Sequence, residues 1–139
     1  MKPVLLDTGV IVALLDRDER RHSECAVAVE SIDAPLVTCE AVIAEACYLT
    51  RRLRGAPQAI LRNVAAGTFQ IPLRLTDCAA AVQAILLKYR DREVDLADAC
   101  LVHLATELRT GEILTLDRDF LVYRWGGRNS FRPIIALGA

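Results

Sequence analysis

Four acidic side chains, Asp7, Glu45, Asp98 and Asp117, stand at two strand ends and two core-side helix positions in four separate segments, and together they suit metal-assisted chemistry. Asp98 is the sharpest case. In DLADACLVHLA (95–105) the apolar residues recur at helical spacing, and at about 100° per residue Asp98 falls in the same arc as Leu101, Val102 and Ala105. A charge on a core-facing stripe is costly unless it is paired, ligates a cation or is protonated. Asp98 also lies near the helix start, where the dipole and free N–H groups favour an anion. Asp7 directly follows the apolar run KPVLL (2–6), and Asp117 directly follows EILTL (112–116). Glu45 sits at the border of the apolar stripe of EAVIAEACYLTRRL (40–53), about 60° around from Val42.

Each acid has an ordinary explanation when taken singly. Asp7 and Asp117 suit helix caps, Asp98 suits the third residue of a helix capped by Asp95, and Glu45 suits a solvated helix face. The conjunction points elsewhere. Four carboxylates converging from four segments repel one another and raise their own pKa values unless a cation sits among them. An all-oxygen set fits Mg²⁺ or Mn²⁺, and no His/Cys spacing suits zinc. The chemistry this implies is phosphodiester hydrolysis, with metal activating water and stabilising the charged transition state. His22 falls in a charged, exposed segment and His103 opposite the apolar stripe of its helix, so neither is assigned an acid–base role.

The elements that must position these acids alternate. KPVLL reads as a strand and TGVIVALLDRD as a helix; RRHSECAVAVESI (20–32) is a second helix, PLVTC (35–39) a strand, and residues 40–53 a helix. Pro57 opens a helix that Gly67 stops, and FQIPLRL (69–75) is a strand that Pro72 marks as an edge. Helices follow over 76–90 and 95–109, the latter capped by Gly111. EILTL is the next strand, DRDFLVYR (117–124) a short helix and RPIIAL (132–137) the last strand. Such alternation predicts a parallel sheet covered on both faces, with ligands bound outside the carboxyl ends of its strands. Asp7 and Asp117 then emerge on one rim.

Composition bounds the rest. A length of 139 residues suits one domain over 1–139, and 53% hydrophobic with 25% charged residues argues against disorder. No apolar run reaches the roughly 18 residues of a membrane span, and the opening lacks a signal peptide's apolar region, so a soluble, cytoplasmic protein is expected. Five cysteines without a CxxC pair read as reduced core thiols. The net charge of −1 announces no basic field, so nucleic-acid contact falls to local arginines. Arg52 follows Glu45 by two helical turns, with Tyr48 between. RWGGRNSFR (124–132) sets Arg124 and Arg128 among Trp125 and Phe131, which either stack on bases or complete the core.

LLDTGVIVALL with Asp7, VIAEACYL with Glu45, DLADACLVHLA with Asp98 and ILTLDRDF with Asp117 resemble the four acidic motifs of PIN-domain nucleases, especially VapC-type toxins of bacterial toxin–antitoxin pairs. The likeness runs in order along nearly the whole chain. It implies a three-layer α/β/α sandwich with a central parallel sheet of four to five strands, Mg²⁺- or Mn²⁺-dependent endoribonuclease activity and homodimerisation. It also implies a small cognate antitoxin covering the acidic groove. By the same likeness Asp7, Glu45, Asp98 and Asp117 are the catalytic and metal-binding set, Asp119 an alternative fourth acid. Thr8 is in the place of an orienting hydroxyl, with Thr115 a second. The residues themselves, apart from the likeness, offer Arg52, Arg124 and Arg128 as RNA contacts, with a solvated helix end the other reading of Arg52. Gly9 stands where relatives often carry Ser or Asn. Two other readings stay open: a PIN nuclease of RNA maturation or decay without an antitoxin, and a noncatalytic cation-binding module.

Overall fold

The computed structural model describes residues 1–138. Seven short strands and six α-helices follow in the order β1 (Val4–Leu6), α1 (Thr8–Leu15), α2 (His22–Glu30), β2 (Leu36–Val37), α3 (Glu40–Leu49), α4 (Ala56–Ala65), β3 (Phe69–Gln70), α5 (Leu75–Lys88), α6 (Leu96–Leu108) and β4 (Glu112–Leu114). A 3-10 turn (Arg118–Leu121) precedes β5 (Arg124–Trp125), β6 (Asn129–Ser130) and β7 (Arg132–Pro133).

Five of the strands form one parallel sheet in the order β3-β2-β1-β4-β7. β1 lies at its centre, and all three of its residues are buried. A strand covered on both faces reads as a continuous apolar run rather than an alternation, which is why Val4, Leu5 and Leu6 are all aliphatic. From β1 the chain steps outward through β2 to β3, then crosses back to the other flank of β1 as β4. Right-handed crossovers therefore put α1 to α4 on one face and α5 with α6 on the other. The expected α/β/α sandwich with a five-stranded parallel sheet is the fold observed. One core joins the layers, with Leu5, Leu6, Ile11, Leu101, Leu104, Ile113, Leu114, Phe120 and Tyr123 fully enclosed.

The structure departs from the expected boundaries where side chains redirect the backbone. α3 ends at Leu49 instead of residue 53: beyond it the Arg51 N–H donates to the Tyr48 carbonyl at 3.3 Å and the Leu53 N–H to the Thr50 carbonyl at 2.9 Å, tight turns in place of helical bonds. Only Phe69–Gln70 of the third predicted strand pairs, at the sheet edge, and α5 already begins at Leu75. α6 is closed by Arg109 in the left-handed region (φ 54°, ψ 46°), not by Gly111. Gly111 is needed for close packing instead, since a Cβ there would strike the Trp125 indole nitrogen and lie 3.0 Å from the Ser130 carbonyl. Residues 124–130 form an antiparallel hairpin turned on Gly126 and Gly127, both at positive φ. Phe131 completes the core against Phe120, ring centroids 5.2 Å apart. All five cysteines are free thiols, as expected; Cys25, Cys39 and Cys100 are buried. The histidines are less exposed than expected. His22 Nδ1 lies 2.6 Å from the Ala13 carbonyl and His103 Nε2 3.3 Å from Glu107. Among the described residues no helix is long and apolar enough to cross a membrane.

Two substitutions separate the cap from the contact. Arg109→Gly relieves a left-handed side-chain residue and should stabilise by up to about 1 kcal/mol. Gly111→Ala should cost about 1–3 kcal/mol through the overpacked hairpin. Urea melts of the two variants beside the wild type measure both signs.

Candidate active site

The seam between β1 and β4 is where the winding of the sheet reverses, the place where open parallel sheets bind ligands. Asp7 sits at the carboxyl end of β1, and its N–H continues the ladder by donating to the Leu114 carbonyl of β4 at 3.0 Å. The β4 chain runs on to Thr115 and Asp117 on the same rim. α3 brings Glu45 and the first turn of α6 brings Asp98, so one cleft of about 300 Å³ is lined by Asp7, Thr8, Glu45, Asp95, Asp98 and Asp117, with Gly9, Leu49 and Leu116. All four acids singled out in the sequence converge. A larger groove of about 410 Å³, around His103 between α5 and α6, holds none of them.

Local hydrogen bonds fix each acid. Asp7 caps α1: its Oδ1 accepts from the Thr8 N–H at 2.8 Å and its Oδ2 from the Thr115 hydroxyl at 2.6 Å. The Thr8 hydroxyl in turn donates to Glu45 Oε1 at 2.7 Å. Asp95 caps α6 by accepting from the Asp98 N–H at 2.8 Å, and Asp98 Oδ2 accepts from the Tyr123 hydroxyl at 2.9 Å. Asp117 caps the 3-10 turn through the Asp119 N–H at 2.8 Å, while its own N–H donates to the Thr115 hydroxyl at 3.0 Å. The two threonines named in the sequence therefore do touch the acids.

Asp7 and Asp98 are each only 7% exposed. Burial pushes Asp7 up to about 6; the Thr115 and Thr8 hydrogen bonds oppose it, and the charges of Asp117 and Glu45 add to it. Burial likewise pushes Asp98 up to about 8, helped by Asp95 and Asp7 and opposed by the Tyr123 hydrogen bond. Tyr123 is held well above the ordinary phenol value, first by burial and then by Asp98, so its hydroxyl stays a donor. One carboxylate oxygen from each of Asp98, Asp117 and Asp119 lies within 4.8 Å of the others, a spacing that suits one cation. Asp119 differs from Asp117 in being tied outward to the Arg92 guanidinium at 2.9 Å.

A PIN-domain family model matches residues 4–126. The chain belongs to the PIN-domain family. It is similar to the ribonuclease VapC26 of Mycobacterium tuberculosis, 36% identical over 121 residues that span 83% of this chain and 87% of the relative. Its fold is similar to that of VapC20 of the same organism, described as a toxin cleaving the sarcin-ricin loop. That structure aligns with a TM-score of 0.76 at 19% identity, over 84% of this chain and 91% of the other.

The arginines of this PIN domain lie outside the acidic cleft. Because α3 stops at Leu49, Arg52 is in the exposed turn beyond the helix and not two helical turns above Glu45. Arg51 instead stacks over the Tyr48 ring at 3.9 Å. Arg124 directs Nη1 to the carbonyls of Leu121, Val122 and Tyr123, and Arg128 is exposed on the hairpin. Sequence reasoning missed Tyr123 and Arg92. Tyr123 lies 25 residues from Asp98 and Arg92 27 from Asp119, separations at which no local periodicity gives a signal.

The raised carboxyls make stability depend on pH. Both folded values exceed the ordinary 3.8, so between about 4 and 8 the folded state binds more protons than the unfolded chain, and stability falls as pH rises. Denaturant melts in EDTA should show lower stability at pH 8 than at pH 5, and Asp98→Asn should flatten that slope.

Proposed function

We propose that this PIN domain is a metal-dependent endoribonuclease of the VapC-toxin type, hydrolysing RNA phosphodiester bonds with Mg²⁺ or Mn²⁺. The observation that carries the reading is the convergence of Asp7, Glu45, Asp98 and Asp117 on one cleft at the β1/β4 seam. The donor set fits the ion. It is all oxygen, it lacks the His and Cys ligands zinc prefers, and its buried members bear a repulsion that a hard divalent cation relieves. Asp7, Glu45, Asp98 and Asp117 would hold the metal directly or through water, with Asp119, whose carboxylate clusters with those of Asp98 and Asp117, as a further ligand.

When bound, the metal supplies an activated water and neutralises charge on the phosphate. The protein's own groups do the positioning. Thr8 links Asp7 to Glu45, so the two acids keep a fixed separation. Thr115 holds Asp7 from the other side and the Asp117 backbone with the same hydroxyl. Arg128 and Arg52, both exposed, suit phosphates of a strand crossing the cleft; the third RNA contact, Arg124, has one guanidinium nitrogen already engaged with carbonyls. The reading includes a small cognate antitoxin, a homodimer and a cytoplasmic location, supported by the likeness to the VapC relatives.

Purified protein freed of any antitoxin should cut RNA with Mg²⁺ or Mn²⁺ and stop in EDTA. Asp98→Asn and Glu45→Gln should each lose at least the roughly hundredfold that removal of an outer support already costs a metal site. Absence of cutting across transfer, ribosomal and messenger RNA would overturn the reading in favour of a noncatalytic cation-binding module.

A further inference from the structure

Each acid of the cleft that comes from the sheet centre or a helix has one side-chain hydroxyl donor: Thr115 for Asp7, Thr8 for Glu45 and Tyr123 for Asp98. The third is unlike the others. Tyr123 comes from the segment beyond the 3-10 turn, is fully buried, and reaches Asp98 from the core side. Its ring is boxed by Tyr89 (centroids 4.9 Å apart, planes at 66°) and Phe120 (5.1 Å, 89°), and its N–H donates to the Asp119 carbonyl at 3.0 Å. The hydroxyl therefore cannot follow Asp98 if that carboxylate rotates. It defines one rotamer.

The consequence lies at the other oxygen. Among the described residues, no buried side-chain oxygen lacks a hydrogen-bond partner, and Asp98 Oδ1 receives none from the protein. Oδ1 is thus the open oxygen, and the cleft is what Asp98 lines. We propose that Tyr123 is a positioning residue: by occupying Asp98 Oδ2 from the core, it presents Oδ1 to a divalent cation in the cleft. The inference rests on the cation reading of the cleft given above.

Mn²⁺ alone is the probe, its binding followed by the electron-spin signal of the free ion, with RNA cleavage measured in parallel. Tyr123→Phe keeps the ring and its edge contacts and deletes only the hydroxyl. It should bind Mn²⁺ about tenfold more weakly and, at saturating Mn²⁺, cleave with about tenfold lower kcat while KM for RNA stays within about twofold. Tyr89→Phe, in the same aromatic box but with its hydroxyl on the Arg124 N–H, should match the wild type. Unchanged Mn²⁺ affinity in Tyr123→Phe, beside loss in Asp98→Asn, overturns the inference and leaves the cation reading standing. A wild type that binds no Mn²⁺ overturns both. Should Tyr123→Phe fail to melt cooperatively, Mg²⁺ titration of a protein carrying Tyr48→Phe and Tyr89→Phe decides, because Tyr123 is then the one tyrosine of three that remains. A tyrosine difference band, distinct from the indole bands of Trp125, that saturates with the metal supports the role, and its absence overturns it.

Discussion

Asp7 and Asp98 are buried carboxylates facing a common cleft from different elements, one at the end of the central strand and one in the first turn of α6, with Asp117 beside them. Water is excluded from most of each, so their charges are neither solvated nor screened as surface charges are. Left alone, such a cluster would protonate or splay. The neighbouring hydroxyls and helix-start N–H groups oppose this by donating to the carboxylates, yet burial still wins at both acids. The folded chain thus keeps poorly solvated carboxyls together at one point, their mutual repulsion adding to the cost of burial, and on the proposed reading a cation is what offsets both.

The segment from Thr115 to Arg124 is the brace for that point. Leaving β4 it donates to Asp7 through Thr115, contributes Asp117, coils once as a 3-10 turn, and returns a hydroxyl to Asp98 through Tyr123. Arg124 then closes the turn by donating to its last carbonyls. Phe120 and Tyr123 fix this coil to the core, so two acids from elsewhere in the chain are held by one short stretch of backbone. A segment this short, pinned by aromatic contacts to Tyr89 and Phe131, has few ways to relax, which is the rigidity a site of fixed geometry requires.

What can be read in the sequence follows the range of the physics involved. Asp98 on an apolar arc and Asp7 at the end of a strand are local facts of periodicity, and both lead to the cleft. Element order likewise follows from alternating patterns, since Val4–Leu6 and Ile113–Leu114 have no polar face to show. Boundaries are lost where the backbone turns without a local signal: i→i−3 turns end α3 at Leu49, and Arg109 tolerates the left-handed turn expected of glycine. Arg52 illustrates the cost of such an error, because extrapolating a helix by one turn too many moves it beside Glu45. Tyr123 and Arg92 are beyond reach, since their partners are set by the crossover and not by spacing.

The distribution of charge adds a constraint of its own. The chain is net −1, the cleft is acidic, and no arginine lines it. A polyanion approaching the bare cleft meets like charge, so the arginines alone must offset repulsion at the very place where a phosphate is to bind. On the proposed reading the ion changes this sign. Cation and RNA then bind with positive coupling, each raising the affinity of the other by the same factor, as linkage demands. On that reading an acidic cleft with peripheral arginines makes RNA engagement contingent on the metal, whereas a uniformly basic cleft would bind RNA without it.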